Sequence, residues 1–581
     1  MSAKEHELDV PGFWGKSVSH LTAIIGENGA GKTTLLRFLA DILTHGKNSD
    51  HEYRRGKGFL LIEHGGEIVL YDPGYLAVTD SSLTRIDADE LCEIRKQLEL
   101  IYFSSHFNPM SLSQRTEVDT QWAGFKNLSA SQAFAEDIRK YQPDKCGQPT
   151  CRFSTNAIGF VTHHASQELQ KQVRAIHFFQ TEDFPMKLPR FLHISVNREG
   201  LRWAKQDKRA RELGLDWLAD KKKGLNAKQA FLWELFCSGL CSLAKSSNIV
   251  TNDPPDWELI AGELKNFTGI QEDKTEIGLF DLQEHATLWG ILACEVRLLI
   301  DTIDCVAKFT DYLSSTGSHG ILAIPFDDNR ILEAGISLID KDSRIWMENV
   351  HFLNFEFSQD PIKRTTLSSG EFALLTLCSR IHAYSQEAGR GEGQTVLMLD
   401  EAELAFHPEW QRRYVKLIVD LFEYLFPQGG QIVICTHSPL ILSDIPKHCV
   451  VYLGGKHEEQ TFGANIHSLY ANSFCLPGGL IGAFAEDKIQ TVIREIQGLA
   501  PDCSQQEQSR REYDHDSGMW HPNAIEKQIK MIGEPFMQRK LWELYESKLL
   551  KNGRSLLREN RIRSLRSELK ELENQNLENE S

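Results

Sequence analysis

The sequence predicts an α/β fold whose parallel sheet is assembled from two separate parts of the chain. In the first part, an apolar run at Leu21–Ile25, a glycine-rich loop and a helical pattern over Thr33–Leu43 follow one another directly. In the second part, strand-like runs at Thr395–Leu399 and Gln431–Cys435 enclose a helical pattern near Trp410–Leu425. Such alternation of strands and helices is typical of a parallel sheet with crossover helices.

The chain between these two parts, residues 86–345, has a different character. Apolar residues recur there at helical spacing, and no heptad repeat continues over several turns. The pattern predicts a mainly helical insertion, with helices at Glu90–Leu100, Ala165–Phe178, Ala227–Leu243 and Leu282–Leu313. We also expect an N-terminal lobe over residues 1–85, with a hairpin of Phe59–Ile62 and Ile68–Tyr71, a C-terminal lobe over 346–500 and a charged helical tail over 501–581.

Composition and charge exclude several classes of protein. Of the 581 residues, 41% are hydrophobic and 25% are charged, which argues against a disordered chain. Acidic residues exceed basic ones by 81 to 64, so a contact with nucleic acid needs a local basic patch. No apolar run approaches the roughly 20 residues that cross a bilayer, and the start lacks the apolar core of a signal peptide. We therefore expect a cytoplasmic protein without membrane contact, whose 12 cysteines are reduced.

The glycine-rich loop carries the strongest chemical signal. Its sequence, Gly26-Glu27-Asn28-Gly29-Ala30-Gly31-Lys32-Thr33, matches the phosphate-binding pattern GxxxxGK(S/T) and lies between a strand and a helix. In such a loop, backbone N–H groups and the helix N-terminus surround phosphates, the lysine reaches the β- and γ-phosphates and the threonine hydroxyl binds Mg²⁺. We expect ATP and Mg²⁺ as ligands, with Thr33 on the metal and nucleotide contacts from Glu27, Asn28, Gly29, Ala30, Gly31, Lys32, Thr33 and Thr34.

A pair of acidic residues ends the strand-like run Thr395–Leu399. A carboxylate at the end of such a strand can hold Mg²⁺, and the next one can orient and deprotonate the attacking water. We therefore assign Asp400 to the metal and Glu401 to the general base.

Two further motifs narrow the class of enzyme. Leu367-Ser-Ser-Gly-Glu371 precedes a helical pattern about 30 residues before Asp400, and His437 follows the strand that ends at Cys435. This order of motifs resembles the ABC-type ATPases, a branch that includes SMC, RecF-like and OLD-like proteins. The resemblance implies that His437 is the switch histidine and that a signature motif contacts the γ-phosphate held by a partner subunit; its residues are Ser368, Ser369, Gly370 and Glu371. Ser369 stands at the position where transporters of this family carry glycine. No segment of the sequence is assigned to the family's glutamine loop.

A closer resemblance is to the RecF/OLD-like ATPases of antiphage defence, and among them to the Septu-type (PtuA-like) ATPases that also occur as retron effectors. It rests on the segments Asp400–Gln411, Thr436–Pro439 and Thr461–Leu469. The resemblance implies an α/β fold in which an insertion splits an ABC/SMC-type P-loop ATPase head, and a homodimer that holds two ATP molecules between its heads. It also implies an HNH-type nuclease partner and a nucleic-acid ligand, DNA or RNA; for a retron effector, the partners would be the retron reverse transcriptase and its DNA.

Three alternatives stay open. A RecF-like DNA-repair ATPase would share all four motifs. An autonomous OLD-like nuclease would need an acidic cluster, and Asp514-His515-Asp516 follows no apolar strand. A non-hydrolysing scaffold would not need Glu401. We expect ATPase activity and no nuclease activity from this chain alone.

Three weaker patterns occur elsewhere in the sequence: a group of cysteines and histidines, a basic cluster and an apolar seam. Cys146 and Cys151, with His163 and His164 downstream, have poor spacing for zinc. Basic residues lie beside Trp203 and Trp217, a pattern typical of a solvated helix face and also of a nucleic-acid surface; they are Lys205, Lys208, Arg209, Arg211, Lys221, Lys222 and Lys223. An apolar seam over Ile562–Leu572 is too short to form a coiled coil alone and predicts a docking site for the partner.

Overall fold

The computed structural model describes most of the chain in two compact units, Met1–Phe474 and Cys475–Ser581. The described residues are 10, 12–27, 29–45, 60–64, 67–71, 84–106, 124–140, 157–180, 187–219, 225–250, 294–316, 319–340, 352–363, 367–387, 393–454, 460–470, 481–498, 513–514, 519–520 and 522–549. Among the helices of these ranges, none combines the length and the apolar character that crossing a membrane requires.

Among its described residues the larger unit contains thirteen strands and the twelve α-helices named below, besides short 3₁₀ helices and a helical stretch at residues 330–340. The strands are β1 (Val18–Gly26), β2 (Leu60–His64), β3 (Glu67–Tyr71), β4 (Thr84–Ile86), β5 (Leu98–Ser104), β6 (Phe125–Asn127), β7 (Phe191–Val196), β8 (Leu313–Thr316), β9 (His319–Pro325), β10 (Leu353–Ser358), β11 (Gln394–Asp400), β12 (Gly430–Cys435) and β13 (Val450–Leu453). The helices are α1 (Lys32–His45), α2 (Ala88–Arg95), α3 (Ala130–Lys140), α4 (Ala157–Gln180), α5 (Glu199–Gln206), α6 (Lys208–Glu212), α7 (Ala227–Val250), α8 (Cys294–Ala307), α9 (Ser369–Ser385), α10 (Pro408–Leu425), α11 (Pro439–Leu442) and α12 (Ile466–Ser468).

A parallel sheet of six strands carries the site. Its order is β13-β1-β12-β11-β5-β6, and every neighbouring pair is parallel. The carboxyl ends of β1, β11 and β12 therefore meet at one edge, where Asp400 is level with Cys435 of β12 and with Ser104 of β5. Ligands of open α/β sheets bind at this edge.

A second sheet lies in the same unit. It is antiparallel, with the order β10-β7-β9-β8. The side chains of β7 are buried from Leu192 to Val196, and they share one hydrophobic core with α7 and α9. The expectation that residues 86–345 are mainly helical is thus incomplete, because β5 to β9 of this segment join the two sheets.

Most predicted elements are confirmed, and two helices are wrong at their ends. The expected helix Glu90–Leu100 ends at Arg95, and β5 begins at Leu98. β5 is buried along almost its whole length, as central parallel strands are, and a short continuous apolar run does not distinguish a strand from a buried helix. The expected helix Leu282–Leu313 is described only from Cys294, ends at Ala307 and is followed by β8.

The hairpin is confirmed in its described part. β2 and β3 pair antiparallel, from Leu60 opposite Tyr71 to His64 opposite Glu67, and β4 adds to β3 in parallel. Phe59 lies outside the described residues.

The smaller unit has its own core. Its helices are α13 (Ala483–Gly498), α14 (Pro522–Met531) and α15 (Pro535–Leu549), and a two-stranded ladder joins β14 (Tyr513–Asp514) to β15 (Met519–Trp520). The three helices bury a common apolar cluster of Val492, Ile496, Ile525, Ile529, Leu541 and Tyr545. The seam Ile562–Leu572, the residues His515 and Asp516, and Cys146 and Cys151 lie outside the described residues.

Candidate active site

The glycine-rich loop connects β1 to α1 as the sequence predicts. Gly29 and Gly31 have φ angles of +82° and +94°, a left-handed conformation that residues with a side chain rarely adopt. The turn is closed by the Ala30 N–H, which donates to the Glu27 carbonyl at 3.1 Å. The loop thus ends at the first turn of a 14-residue helix, whose free N–H groups and dipole favour an anion. Asn28 lies outside the described residues.

Lys32 is buried at the base of the loop, with 5% of its surface exposed. Its ammonium donates to the carbonyl oxygens of Gly26 at 3.0 Å and Glu27 at 3.1 Å. Burial lowers the pKa of Lys32, and the nearby carboxylates of Glu401 and Asp400 act in the opposite direction. The ammonium therefore lies between the loop and the acidic residues at the end of β11.

Asp400, the last residue of β11, contacts both α1 and β5. Its Oδ1 accepts a hydrogen bond from the Thr33 hydroxyl at 3.2 Å, and its Oδ2 accepts one from the Tyr102 hydroxyl at 2.8 Å. Burial raises the pKa of Tyr102 strongly, and the Asp400 charge adds to the effect, so the phenol keeps its proton and remains a donor. One side of the carboxylate thus meets the loop, and the other is fixed by β5.

Glu401 has an unusual backbone. Its φ of +49° is the one positive value among the described residues that are not glycine. The Glu401 N–H donates to the Cys435 carbonyl at 3.0 Å, and its carbonyl accepts from the Ser105 hydroxyl at 2.8 Å. Such a conformation costs roughly 1–3 kcal/mol, and strain of this kind is held at functional sites by the surrounding structure. Here β12 and the end of β5 hold it on both sides.

The strained backbone directs the Glu401 side chain toward His437. The His437 Nε2 lies 3.2 Å from Glu401 Oε1. Burial lowers the pKa of His437 and the Lys32 charge adds to this, while Glu401 opposes it. A neutral imidazole can donate only one hydrogen, and a carboxylate only accepts, so Nε2 is the donor in this pair. His437 thus fixes the orientation of the Glu401 carboxylate.

A buried acidic residue supports the loop that carries His437. Glu403, 3% exposed, accepts a hydrogen bond from the Thr436 hydroxyl, and the Thr436 Oγ1 accepts from the Ser438 N–H at 2.9 Å. The residues on both sides of His437 are therefore held through Glu403. Its second carboxyl oxygen has no hydrogen-bond partner among the described residues, and neither has the buried Tyr414 hydroxyl.

The Glu403 carboxyl makes stability depend on pH. Burial raises its pKa from an ordinary 4.5 to about 7. Between these pH values the folded state keeps a proton that the unfolded state has lost, so the free energy of unfolding decreases as pH rises through this window. The full difference is roughly 3 kcal/mol.

Glu403→Gln should remove this dependence, because the amide has the shape and the neutral charge of the protonated acid. We expect the thermal midpoint of the full-length variant to rise relative to the parent between pH 5 and pH 8, measured by circular dichroism. Glu93→Gln, the same change on an exposed helix, is the control. If the difference in thermal midpoint between variant and parent were the same at pH 5 and at pH 8, the raised pKa would not belong to Glu403.

The signature motif forms the start of α9. The Ser368 hydroxyl accepts from the Glu371 N–H at 3.3 Å, and the Glu371 carboxylate accepts from the Ser368 N–H at 2.8 Å, which makes a capping box. Ser369 is exposed, and Gly370 is buried. A Cβ added at Gly370 would lie 3.1 Å from the Ala405 carbonyl oxygen, so the glycine allows α9 to touch the loop that follows Glu401.

The structure brings together all described residues of the first two motifs, and His437 with them. Four further residues of the site were not predicted from the sequence: Tyr102, Ser105, Glu403 and Thr436. Glu403 and Thr436 lie in two segments that carry the family resemblance, Asp400–Gln411 and Thr436–Pro439. The position of Glu403 between apolar residues could have indicated a buried carboxyl group. Tyr102 lies in β5 and Ser105 directly follows it; the first three residues of this strand, Leu98–Leu100, were assigned to a helix.

The donor set fits a nucleotide with Mg²⁺. The Thr33 hydroxyl and the Asp400 carboxylate are in contact, and oxygen ligands of these two kinds suit this ion. A Cβ added at Gly29 would meet no atom of the described residues within 4 Å, so the loop is open around this glycine.

A comparison with protein families agrees with this site. The family described as "AAA domain, putative AbiEii toxin, Type IV TA system" matches residues 21–67 and 317–443. The two segments contain the phosphate-binding loop, Ser368–Glu371, Asp400, Glu401 and His437, and they form the parallel sheet together with β5, β6 and β13. The chain therefore contains a P-loop ATPase domain that is discontinuous in sequence.

Proposed function

We propose that this chain hydrolyses ATP between two copies of itself and thereby controls a nuclease of antiphage defence. The observation that carries the ATPase part is the pairing of acids at the end of β11. Asp400 contacts Thr33 of the phosphate-binding loop, while Glu401 is oriented by His437. Adjacent residues thus face two different tasks, metal binding and water activation.

Each residue of the site has a defined role in the reaction of ATP with water. Lys32 and the first turn of α1 hold the phosphates, and Thr33 and Asp400 would hold Mg²⁺, which when bound neutralises charge on the phosphate oxygens. Glu401 accepts the proton of the attacking water, while the Nε2–H of His437 keeps the carboxylate in place. The oxygen of the water forms a bond to the γ-phosphorus. The bond between the γ-phosphorus and the oxygen that bridges the β- and γ-phosphates breaks, so that ADP and phosphate leave.

Dimerisation is supported by apolar side chains around the signature motif. Phe372, two residues beyond Gly370, is 49% exposed, and Leu404, beside Ala405, is 55% exposed. Large apolar groups left on the surface in this way mark a protein interface. The exposed Ser369 at the N-terminus of α9 would then contact the γ-phosphate bound by the other copy. Gly370 contacts Ala405 in the loop that follows Glu401. A γ-phosphate bound at Ser369 would therefore influence the position of Glu401 in the same chain.

The defence role rests on resemblance. The Septu-type motifs point to an ATPase that acts with an HNH-type nuclease, alone or as a retron effector. The description of the matched family, with its reference to a toxin, is in keeping with such a role for that family. A RecF-like function in DNA repair is the second candidate, and it would use the same ATP site.

A direct test measures cleavage by the purified full-length chain. We expect that it turns over ATP and leaves plasmid DNA, single-stranded DNA and RNA uncut, since its identified carboxylates serve ATP hydrolysis. Addition of the candidate nuclease should produce cleavage that Lys32→Ala in the ATPase removes. Cleavage by the ATPase chain alone, lost in Asp514→Asn, would instead favour an OLD-like nuclease.

A further inference from the structure

A groove lies where α5 crosses α7, in the segment between the two halves of the ATPase domain. Gly200 of α5 is buried against α7, and an added Cβ would lie 2.2 Å from the Ser238 carbonyl oxygen and 2.4 Å from the Ser242 hydroxyl. The glycine therefore lets the two helices approach closely. Beside this contact is an open cavity of about 330 Å³, lined by Glu199, Arg202, Trp203, Gln206, Asp207 and Lys245.

Exposed cations surround the groove. Arg202 and Lys205 are three residues apart, so they share the outer face of α5, and Lys245 lies three residues beyond Ser242 on α7. In the described part of the chain, none of the three side chains has an acidic partner within ion-pair distance. Over residues 198–212 together with Lys245, basic residues exceed acidic ones by seven to three. This local excess contrasts with the net charge of −17 for the whole chain.

The three acidic residues in this stretch each have a role in the fold. The Asp207 side chain accepts from the Arg209 N–H at 2.9 Å and so caps α6. Glu212 forms an ion pair with Lys208 at 3.1 Å, one turn away on the same helix. Glu199 lies in the first turn of α5, where a negative charge favours the helix dipole. At the groove itself, three cations that are unpaired among the described residues, Arg202, Lys205 and Lys245, therefore face two acidic side chains that line the cavity, Glu199 and Asp207.

Trp203 supplies an aromatic surface in the same groove. It is partly buried, it packs against the main hydrophobic core, and it also lines the cavity. Every base has a flat face that can stack on such a side chain, so this contact does not depend on which base is bound. Basic side chains beside an anchored aromatic ring are the elements from which surfaces for single strands are built.

We propose that this groove binds single-stranded nucleic acid, with a base on Trp203 and backbone phosphates on Arg202, Lys205 and Lys245. The cavity is near the lower end of the range for small-ligand sites, about 300–1,000 Å³, which suits a single base. Positive charge continues beyond it on α6, at the exposed Arg211, so the surface exceeds what a mononucleotide needs. A paired duplex would not present its bases to Trp203. None of these residues belongs to the ATP site, so the inference stands independently of the proposed ATPase mechanism.

Fluorescence anisotropy of the full-length chain with labelled 20-nucleotide oligo(dT) and oligo(U) tests the proposal. The double variant Arg202→Glu/Lys245→Glu should bind at least about tenfold more weakly than the parent at low salt. Its plot of log affinity against log salt should be shallower by about 1.4, for two lost contacts with a single strand. Lys96→Glu/Lys416→Glu, which changes the same charge on two exposed helices, should bind like the parent.

A second variant separates stacking from charge. Trp203→Leu keeps an apolar side chain on the core, so it should weaken binding severalfold and leave the salt dependence unchanged. ATP turnover of each variant reports correct folding. The proposal is wrong if the groove variants bind like the control variant, if a duplex of the same length binds as tightly as the single strands, or if a mononucleotide displaces the oligonucleotide at equal concentration. Tighter binding of one of the two oligonucleotides would identify the preferred strand as DNA or RNA.

Discussion

Replacing Glu401 with glutamine is expected to lower ATP turnover by a factor of about 10²–10⁴, the usual contribution of a general base. The amide has the size of the carboxylate and can still contact His437, but it does not accept the proton of the attacking water. Lys32, Thr33 and Asp400 are unchanged, so ATP should bind as in the parent and should hold the two heads together.

Three measurements on the same sample check this expectation. Phosphate release gives the turnover, binding of a fluorescent ATP analogue gives the affinity, and mass photometry gives the fraction of dimer. Glu387→Gln, the same change at an exposed acid at the end of α9, is the matched control and should retain turnover. If the Glu401 variant turned over ATP at the parental rate, Glu401 would not be the base.

Mixing two inactive variants should restore activity if each site is shared between two chains. Lys32→Ala removes the phosphate contact of the loop. Ser369→Arg places a bulky cation at the N-terminus of α9, and the cap of that helix is kept because Ser368 and Glu371 form it. In a mixed dimer, one site combines an intact loop with an intact signature motif, and the other site has neither.

The expected recovery is quantitative. Random exchange makes about half of the dimers mixed, each with one working site of two, so the mixture should reach about a quarter of parental turnover. Each variant alone should stay near background. A mixture that is no more active than its components, although mass measurements detect exchange of subunits, would contradict shared sites.

Local motifs were predictable because their physics is local. The left-handed backbone at Gly29 and Gly31 requires glycine, and a charged pair after the apolar run of β11 can only lie at the edge of the sheet. The capping box of α9 is likewise readable as a serine followed by glutamate three residues later. These features depend on a few consecutive residues.

The remaining features of the site depend on strand order. Tyr102 reaches Asp400 across 298 positions of sequence because β5 pairs with β11, and that pairing was hidden by the assignment of Leu98–Leu100 to a helix. The φ of Glu401 follows from hydrogen bonds to two neighbouring segments, which a sequence does not specify. The groove at Trp203 likewise arises from a crossing of helices that begin 28 residues apart, and only its basic residues and the tryptophan were visible in sequence.

Phosphate release by the purified full-length chain, in ATP with Mg²⁺ and in ATP with EDTA, tests the central claim most directly. That claim is that Lys32, Thr33, Asp400 and Glu401 form one site that hydrolyses ATP. We predict steady turnover that requires Mg²⁺ and falls to background in Lys32→Ala, while Lys16→Ala, a change at an exposed lysine of the same lobe, retains it. Absence of turnover in the parent chain, or turnover that persists in Lys32→Ala, would contradict the claim.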